Sequence, residues 1–263
     1  MVSGKMTSEE YVDLKETAGL PIYLERGRIR VNEKQVFFKE KREYIIKELK
    51  EVTIKEDWTQ QEEKNRVYAV YKNLILKEHK ELWGEVEHDI VIIYPGKMGN
   101  EYNKTIGQYR SIADNGFHYP EIYQVIYGYA EFLLQQPRNK HEQVKDAVLI
   151  RAQKYEIVVI PPAYGVTIIN PSEKSAVLAR VRAKEAEEIV EEYKRTRGEC
   201  YYRLTDGKWV FNTNYNELPV LRLEEPQNKW RLMKRGIPVY MAHIYNPKKS
   251  RGLVEPDPAE FIV

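Results

Sequence analysis

The sequence predicts an all-β-dominated fold, an antiparallel sandwich or barrel with a few peripheral helices. Two observations carry that expectation. From Asp89 to Arg182, short runs rich in β-branched and aromatic residues follow one another with turn residues between them: "IVIIY", "EIYQVIYGYAEFLLQQ", "DAVLIRA", "EIVVI", "YGVTIIN" and "SAVLARVRA". Runs at this spacing, with no helical pattern between them, indicate sandwich or barrel pairing and not a parallel βαβ sheet.

The elements follow in chain order. "LPIYLERGRIRVNE" (Leu20 to Glu33) alternates apolar and polar residues about Arg26-Gly27 and reads as a hairpin, whereas "FFKEKREYIIKELKEV" (Phe37 to Val52) has its apolar residues at helical spacing. "TQQE" (Thr59 to Glu62) matches a capping box and predicts a short helix. The Val67, Ala69, Tyr71 alternation favours a strand, and "KEHKELWG" a helical turn. Beyond the strand-rich stretch, "KEAEEIVEEYKRTRG" (Lys184 to Gly198) reads as a helical exit closed by glycine. "CYYRLTDGKWVFN" forms a hairpin over Asp206-Gly207, and the tail from Trp230, broken by prolines, reads as an extended arm. The expected division is 1–66 as N-terminal strands and helices, 67–183 as the barrel, 184–229 as helix and hairpin, and 230–263 as the arm.

Composition narrows the function classes. The 42 basic and 40 acidic residues nearly cancel, at +2, and no Lys/Arg cluster interleaves with aromatics, so nucleic acid is not an expected partner. The single Cys200 allows no internal disulfide and fits a reducing cytosol. The opening "MVSGKMTSEEYVDL" lacks a signal-peptide apolar region, and no apolar run reaches membrane-span length; a cytoplasmic protein that does not engage membranes is expected. Abundant Lys and Glu resemble thermophile surfaces. There is no G-x-G-x-x-G, Walker A or G-x-S-x-G motif.

Three stretches go beyond composition. "YPGKMGNEYNKTIGQYR" (Tyr94 to Arg110), "YPEIYQVIYGYAEFLLQ" (Tyr119 to Gln135) and "IPPAYGVTIINPS" (Ile160 to Ser172) resemble, in order and spacing, the cupin-type glucose-6-phosphate isomerases. That family reads as PGK-x-G-x-E, KT-x-GHYH, PEIY-x-V-x-G with LLQ, and PP-x-Y-x-H with IN. The resemblance covers about Val67 to Arg182, extends to the hairpin beyond, and implies a cupin barrel, a homodimer and a divalent metal held by the two GHYH histidines, the PEIY glutamate and the histidine after PP-x-Y-x. Here those positions hold Gln108, Arg110, Glu121 and Val166.

The departures set the expectations about chemistry. A guanidinium keeps its proton and repels a cation, and valine has no lone pair, so no metal cofactor is expected. Arg110 lies two residues from Gln108 on the same strand face and is the natural partner for the otherwise lone Glu121. Arg182, with Arg180 before it, stands where the family places a substrate tyrosine, while Thr105 and Gly107 match its phosphate-holding positions. The expected ligand is therefore a small anion, a phosphorylated sugar by resemblance, held by Lys104, Thr105, Gly107, Gln108, Arg110 and Arg182. Two alternatives stand beside this: an active isomerase with Glu121 as base, and a scaffold in which Glu121 and Arg110 are only a structural pair. His79, His88, His118, His141 and His243 show no metal-ligand spacing, and the tryptophans read as packing residues.

Overall fold

The computed structural model of the protein describes residues 11–261 apart from Glu56, His141, Asn228, Arg231 and Leu232. The first ten residues of the opening stretch and His141 lie outside the described residues, as does the side chain of Trp230. Ten strands form two facing sheets: β1 (Glu40–Ile45), β2 (Arg66–Lys72), β3 (Val86–Ile93), β4 (Glu121–Tyr127), β5 (Tyr129–Pro137), β6 (Val144–Gln153), β7 (Ile157–Ile160), β8 (Gly165–Ile169), β9 (Ala176–Ala183) and β10 (Arg222–Glu224). The larger sheet runs β7-β4-β9-β3-β2-β1 and the smaller β8-β5-β6-β10. Every pairing is antiparallel except β6 with β10. This is an all-β cupin barrel.

Gly128 turns the corner between the sheets. It carries φ +77° between β4 and β5, and a Cβ there would lie 2.3 Å from the Ser175 carbonyl oxygen, so both conformation and space require glycine. Alternation then sorts the side chains. Tyr123, Val125, Leu178, Val91 and Phe132 fill the barrel interior, while Ile90, Ile92, Ile122, Val159 and Val181 point outward from the large sheet.

That outer face is covered by the two flanks of the barrel. The hairpin Ile22–Glu25 and Arg28–Val31 forms as expected, and it buries Leu20, Ile22 and Leu24 there. The tail meets it from the other side. Instead of an extended arm, it forms the helix Val239–Tyr245, which buries Val239, Tyr240 and Ala242 in the same cluster. The expected 37–52 helix divides: Glu40–Ile45 pairs along β2 as β1, and only Ile46–Leu49, continued by a 3-10 turn over Lys50–Val52, is helical. Sheet pairing overrides the local apolar spacing. The 184–198 segment first pairs Glu188–Ile189 with Tyr109–Arg110 and becomes helical only over Glu191–Arg195. The Thr59–Glu62 capping box forms, its Glu62 carboxylate accepting from Thr59 N at 2.7 Å, and so does the hairpin Tyr201–Arg203 with Trp209–Phe211.

Candidate functional site

Strand register decides what lies at one end of the barrel interior. Glu121 faces Arg182, which faces Glu87; one step deeper, Tyr123 faces Arg180, which faces Asp89. All six side chains therefore point inward from three adjacent strands. The short Tyr109–Arg110 strand adds Arg110, and Glu188 pairs opposite it.

The result is a closed ionic floor. Arg110 Nη2 lies 2.6 Å from Glu121 Oε2, with the two side chains 2% and 1% exposed. The same Oε2 accepts from the Tyr123 hydroxyl at 3.2 Å, and Oε1 accepts from Gln108 Nε2 at 3.3 Å. Arg180 donates to Asp89 Oδ2 at 2.9 Å and to Glu188 Oε1 at 3.0 Å. Arg182 gives Glu87 a 2.6 Å bond, reaches Asp89 at 3.1 Å and donates to the Ala183 carbonyl. Three guanidiniums thus serve four carboxylates. Although burial opposes their charge, the arginines hold Asp89 well below the usual carboxylate range and Glu188 down at about 2.

Above this floor opens a cavity of about 500 Å³ at the barrel mouth. Thr105, Gly107, Gln108 and Val166 all line it, as the sequence placed them together. Gln108 and Val166 are bound to each other through their backbones, at 3.1 and 2.9 Å. Gly107 has a packing reason as well: a Cβ would lie 2.4 Å from the Tyr193 ring, and φ is +86°. The Thr105 hydroxyl accepts from Ile168 N at 3.0 Å and keeps its own proton to donate.

Two expected anion-binding cations are not at the mouth. Arg182 is buried on the floor and engaged by Glu87 and Asp89, so its charge is spent within the protein. Lys104 is 1% exposed behind the small sheet, 2.5 Å from Glu101 Oε2 and 2.7 Å from Glu199 Oε1. Arg110 is in place but committed to Glu121. The mouth takes its positive charge from residues the sequence reading passed over: Arg42, Lys47, Lys50 and Lys194, against Glu48 and Glu51. Arg42 lies 3.7 Å from Glu48 and Lys194 2.9 Å from Glu191, so both are partly neutralised, while Lys47 and Lys50 line the mouth without an ion pair among the described residues. The one hint was "IIKELK", whose lysines three apart share a face once that segment turns helical.

The histidines show a different grouping from the one expected. His79, His88 and His243, far apart in sequence, gather with Trp83 and Tyr240 beneath the C-terminal helix; the Trp83 and His243 rings stack at 4.1 Å. Burial drives His88 down to about 4, so it is a neutral packing group. His118 bonds the Arg110 carbonyl at 2.6 Å. Among the described residues, no group of three or more His, Cys, Asp or Glu is arranged to hold a metal ion, and no helix is long and apolar enough to cross a membrane.

A two-sheet antiparallel barrel with a cavity at its mouth defines a cupin. The chain belongs to the glucose-6-phosphate isomerase (GPI) family, whose model matches residues 45–220. It is 31% identical over 163 residues to the glucose-6-phosphate isomerase of Thermococcus litoralis, covering 61% of this chain and 75% of that protein. It is 26% identical over 180 residues to that of Pyrococcus furiosus, covering 65% and 82%. Against the Thermococcus onnurineus enzyme the match covers 56% of the relative. Among solved structures, Bacillus subtilis oxalate decarboxylase is similar at 13% identity and TM-score 0.35, over 47% of this chain and 27% of that one. Vicilin from Capsicum annuum is similar at 12% and 0.32, over 46% and 29%.

Proposed function

We propose that this cupin does not carry out metal-assisted aldose–ketose interconversion, and that its barrel mouth binds a phosphorylated sugar or a similar small anion. The observation that carries the first half is the 2.6 Å bond from Arg110 to Glu121. The resemblance implies a divalent metal held at Gln108, Arg110, Glu121 and Val166. These residues do not fit one: the carboxylate is taken by a guanidinium, the guanidinium offers only donors, and the isopropyl group offers nothing. A cation there would also meet Arg180, 4.0 Å from the same Glu121 oxygen.

The same geometry disfavours a metal-free isomerase. Glu121 already accepts from Arg110, Tyr123 and Gln108, so a proton arriving on it must displace a charge-assisted bond. A general base needs a lone pair facing substrate. The second half of the proposal rests on the retained Thr105 and Gly107 and on the cation excess of the rim.

Two measurements test the reading. Elemental analysis of the purified protein is expected to find no stoichiometric first-row metal, and glucose-6-phosphate conversion is expected at background. One metal per chain, or turnover abolished by Glu121→Gln, overturns it. The combined Gln108→His, Arg110→His, Val166→His variant is expected to gain metal binding by calorimetry. If it folds and stays metal-free, these are not the ligand positions.

A further inference from the structure

The cavity at the barrel mouth is wet and charged at its rim and greasy below it. Between the rim lysines and the arginine floor, the wall consists of Val70, Val91, Val166 and Ile168, all buried. Tyr44, Tyr68 and Tyr123 complete it. Tyr123 turns its hydroxyl to Glu121, and Tyr68 is buried with its ring against Tyr44. The rings remain as the presented surface: Tyr44 and Tyr68 stack at 4.1 Å and 10°, with the Arg42 guanidinium 4.5 Å above Tyr44.

Hydrogen-bonding capacity is correspondingly thin. Below the charged rim, the groups left to face a ligand are the Thr105 hydroxyl proton, the Gly107 backbone, the rest of the Gln108 amide and the outer edge of the Arg180–Glu188 pair. A hexose phosphate carries a hydroxyl on nearly every carbon. Seated here it would strip water from most of them without replacement, and an unmatched buried hydroxyl is costly. An apolar or aromatic body brings no hydroxyls of its own to desolvate and would lie against the exposed parts of four aliphatic side chains and a stacked ring pair.

Resting on the reading that the mouth binds a small anion, we infer that its ligand is amphipathic. An anionic head, phosphate or carboxylate, sits at Lys47 and Lys50 on the rim, beside a Lys194 already engaged by Glu191, and an aromatic or aliphatic body lies against the Tyr44–Tyr68 pair and the valine wall. Arg180 and Gln108 meet the far end of that body. The floor cannot take the anion, because its guanidiniums are already outnumbered by carboxylates.

Titration calorimetry on the full chain with three anions of matched charge tests this: inorganic phosphate, glucose 6-phosphate and phenyl phosphate. Phenyl phosphate is expected to bind roughly tenfold or more tighter than either of the others, from the apolar surface it buries. Val70→Phe, which fills the wall, is expected to remove that advantage while leaving inorganic phosphate unaffected. The double variant Lys47→Ala, Lys50→Ala, both exposed, is expected to weaken all three. Equal affinity for phenyl phosphate and inorganic phosphate, or tighter binding of glucose 6-phosphate, overturns the amphipathic ligand and leaves the anion site standing. Binding of none of the three overturns the anion site and this inference together.

Discussion

The arginine floor and the Lys104 cluster are two buried charged assemblies on opposite sides of the small sheet's mouth, and both hold more carboxylates than cations. They resolve the excess differently. On the floor, each guanidinium spreads its donors over two acceptors or more, and every carboxylate meets at least one; Asp89 and Glu188 are held charged. Behind the mouth a single ammonium serves Glu101 and Glu199 while facing the Tyr202 ring at 5.1 Å. Glu101 has a second donor in Ile54 N, but Glu199 Oε2 is buried without a hydrogen-bond partner, and Glu199 is pushed up to about 7. A planar fork with five donors can satisfy a crowd that a point charge with three cannot.

The largest effect that would test this contrast is Lys104→Met. It leaves two carboxylates and no cation in a dry site, at an expected cost of about 3–5 kcal/mol in denaturant unfolding. Arg110→Ala is expected to cost less, about 2–3 kcal/mol, because Arg180 stands 4.0 Å from the abandoned Glu121 oxygen and can relax toward it. Pairing Arg110→Met with Glu121→Leu should recover most of the loss. If Arg110→Ala proves the more damaging, the floor is a set of separate pairs and not a shared network.

The smallest effect is in the pH profile. Glu199 is raised in the folded state, so the unfolded chain sheds that proton first, and stability falls as pH rises from about 4.5 to about 7. His88 is lowered to about 4, so the unfolded chain takes up that proton first, and stability rises from about pH 4 to about 6.5. The two slopes oppose each other over nearly the same window. Melting temperature should therefore rise only gently between about pH 5 and 6.5, through His243, which burial also lowers, and drop below about pH 4, where the unfolded chain takes up protons that Asp89 and Glu188 do not accept in the fold. Glu199→Gln should expose the histidine slope, giving a melting temperature that climbs more steeply across the window; an unchanged profile would show that Glu199 does not titrate there.

What the sequence made legible was mostly what alternation and short motifs encode. Most of the strands between Asp89 and Arg182 and the meeting of Arg110 with Glu121 follow from period-two patterns and nearby residues, whereas the corner at Gly128 splits what the pattern gives as one run. Lys104 has Glu101 three residues away, but its second partner Glu199 and Arg182's partner Glu87 each lie 95 residues off, where only the tertiary fold brings them together. For Arg182 the signal was available: "EHD" puts Glu87 and Asp89 on alternate positions of a strand, as "ARVRA" puts Arg180 and Arg182. For the tail it was not. Prolines in "GIPVYMAHIYNP" suggest an extended chain, yet Pro238 precedes the first helical residue, where it is tolerated, and stacking of His243 on Trp83 fastens that helix to a segment far upstream.

The cover over the large sheet sets an order of events in synthesis. Leu20, Ile22 and Leu24 are made early, but the surface they bury against belongs to strands completed only at Ala183, and Gly19 closes against Met241. During synthesis the outer face of the large sheet is therefore expected to stay bare on one side until the C-terminal helix is made. The first part of this chain to be translated is expected to be among the last to become native.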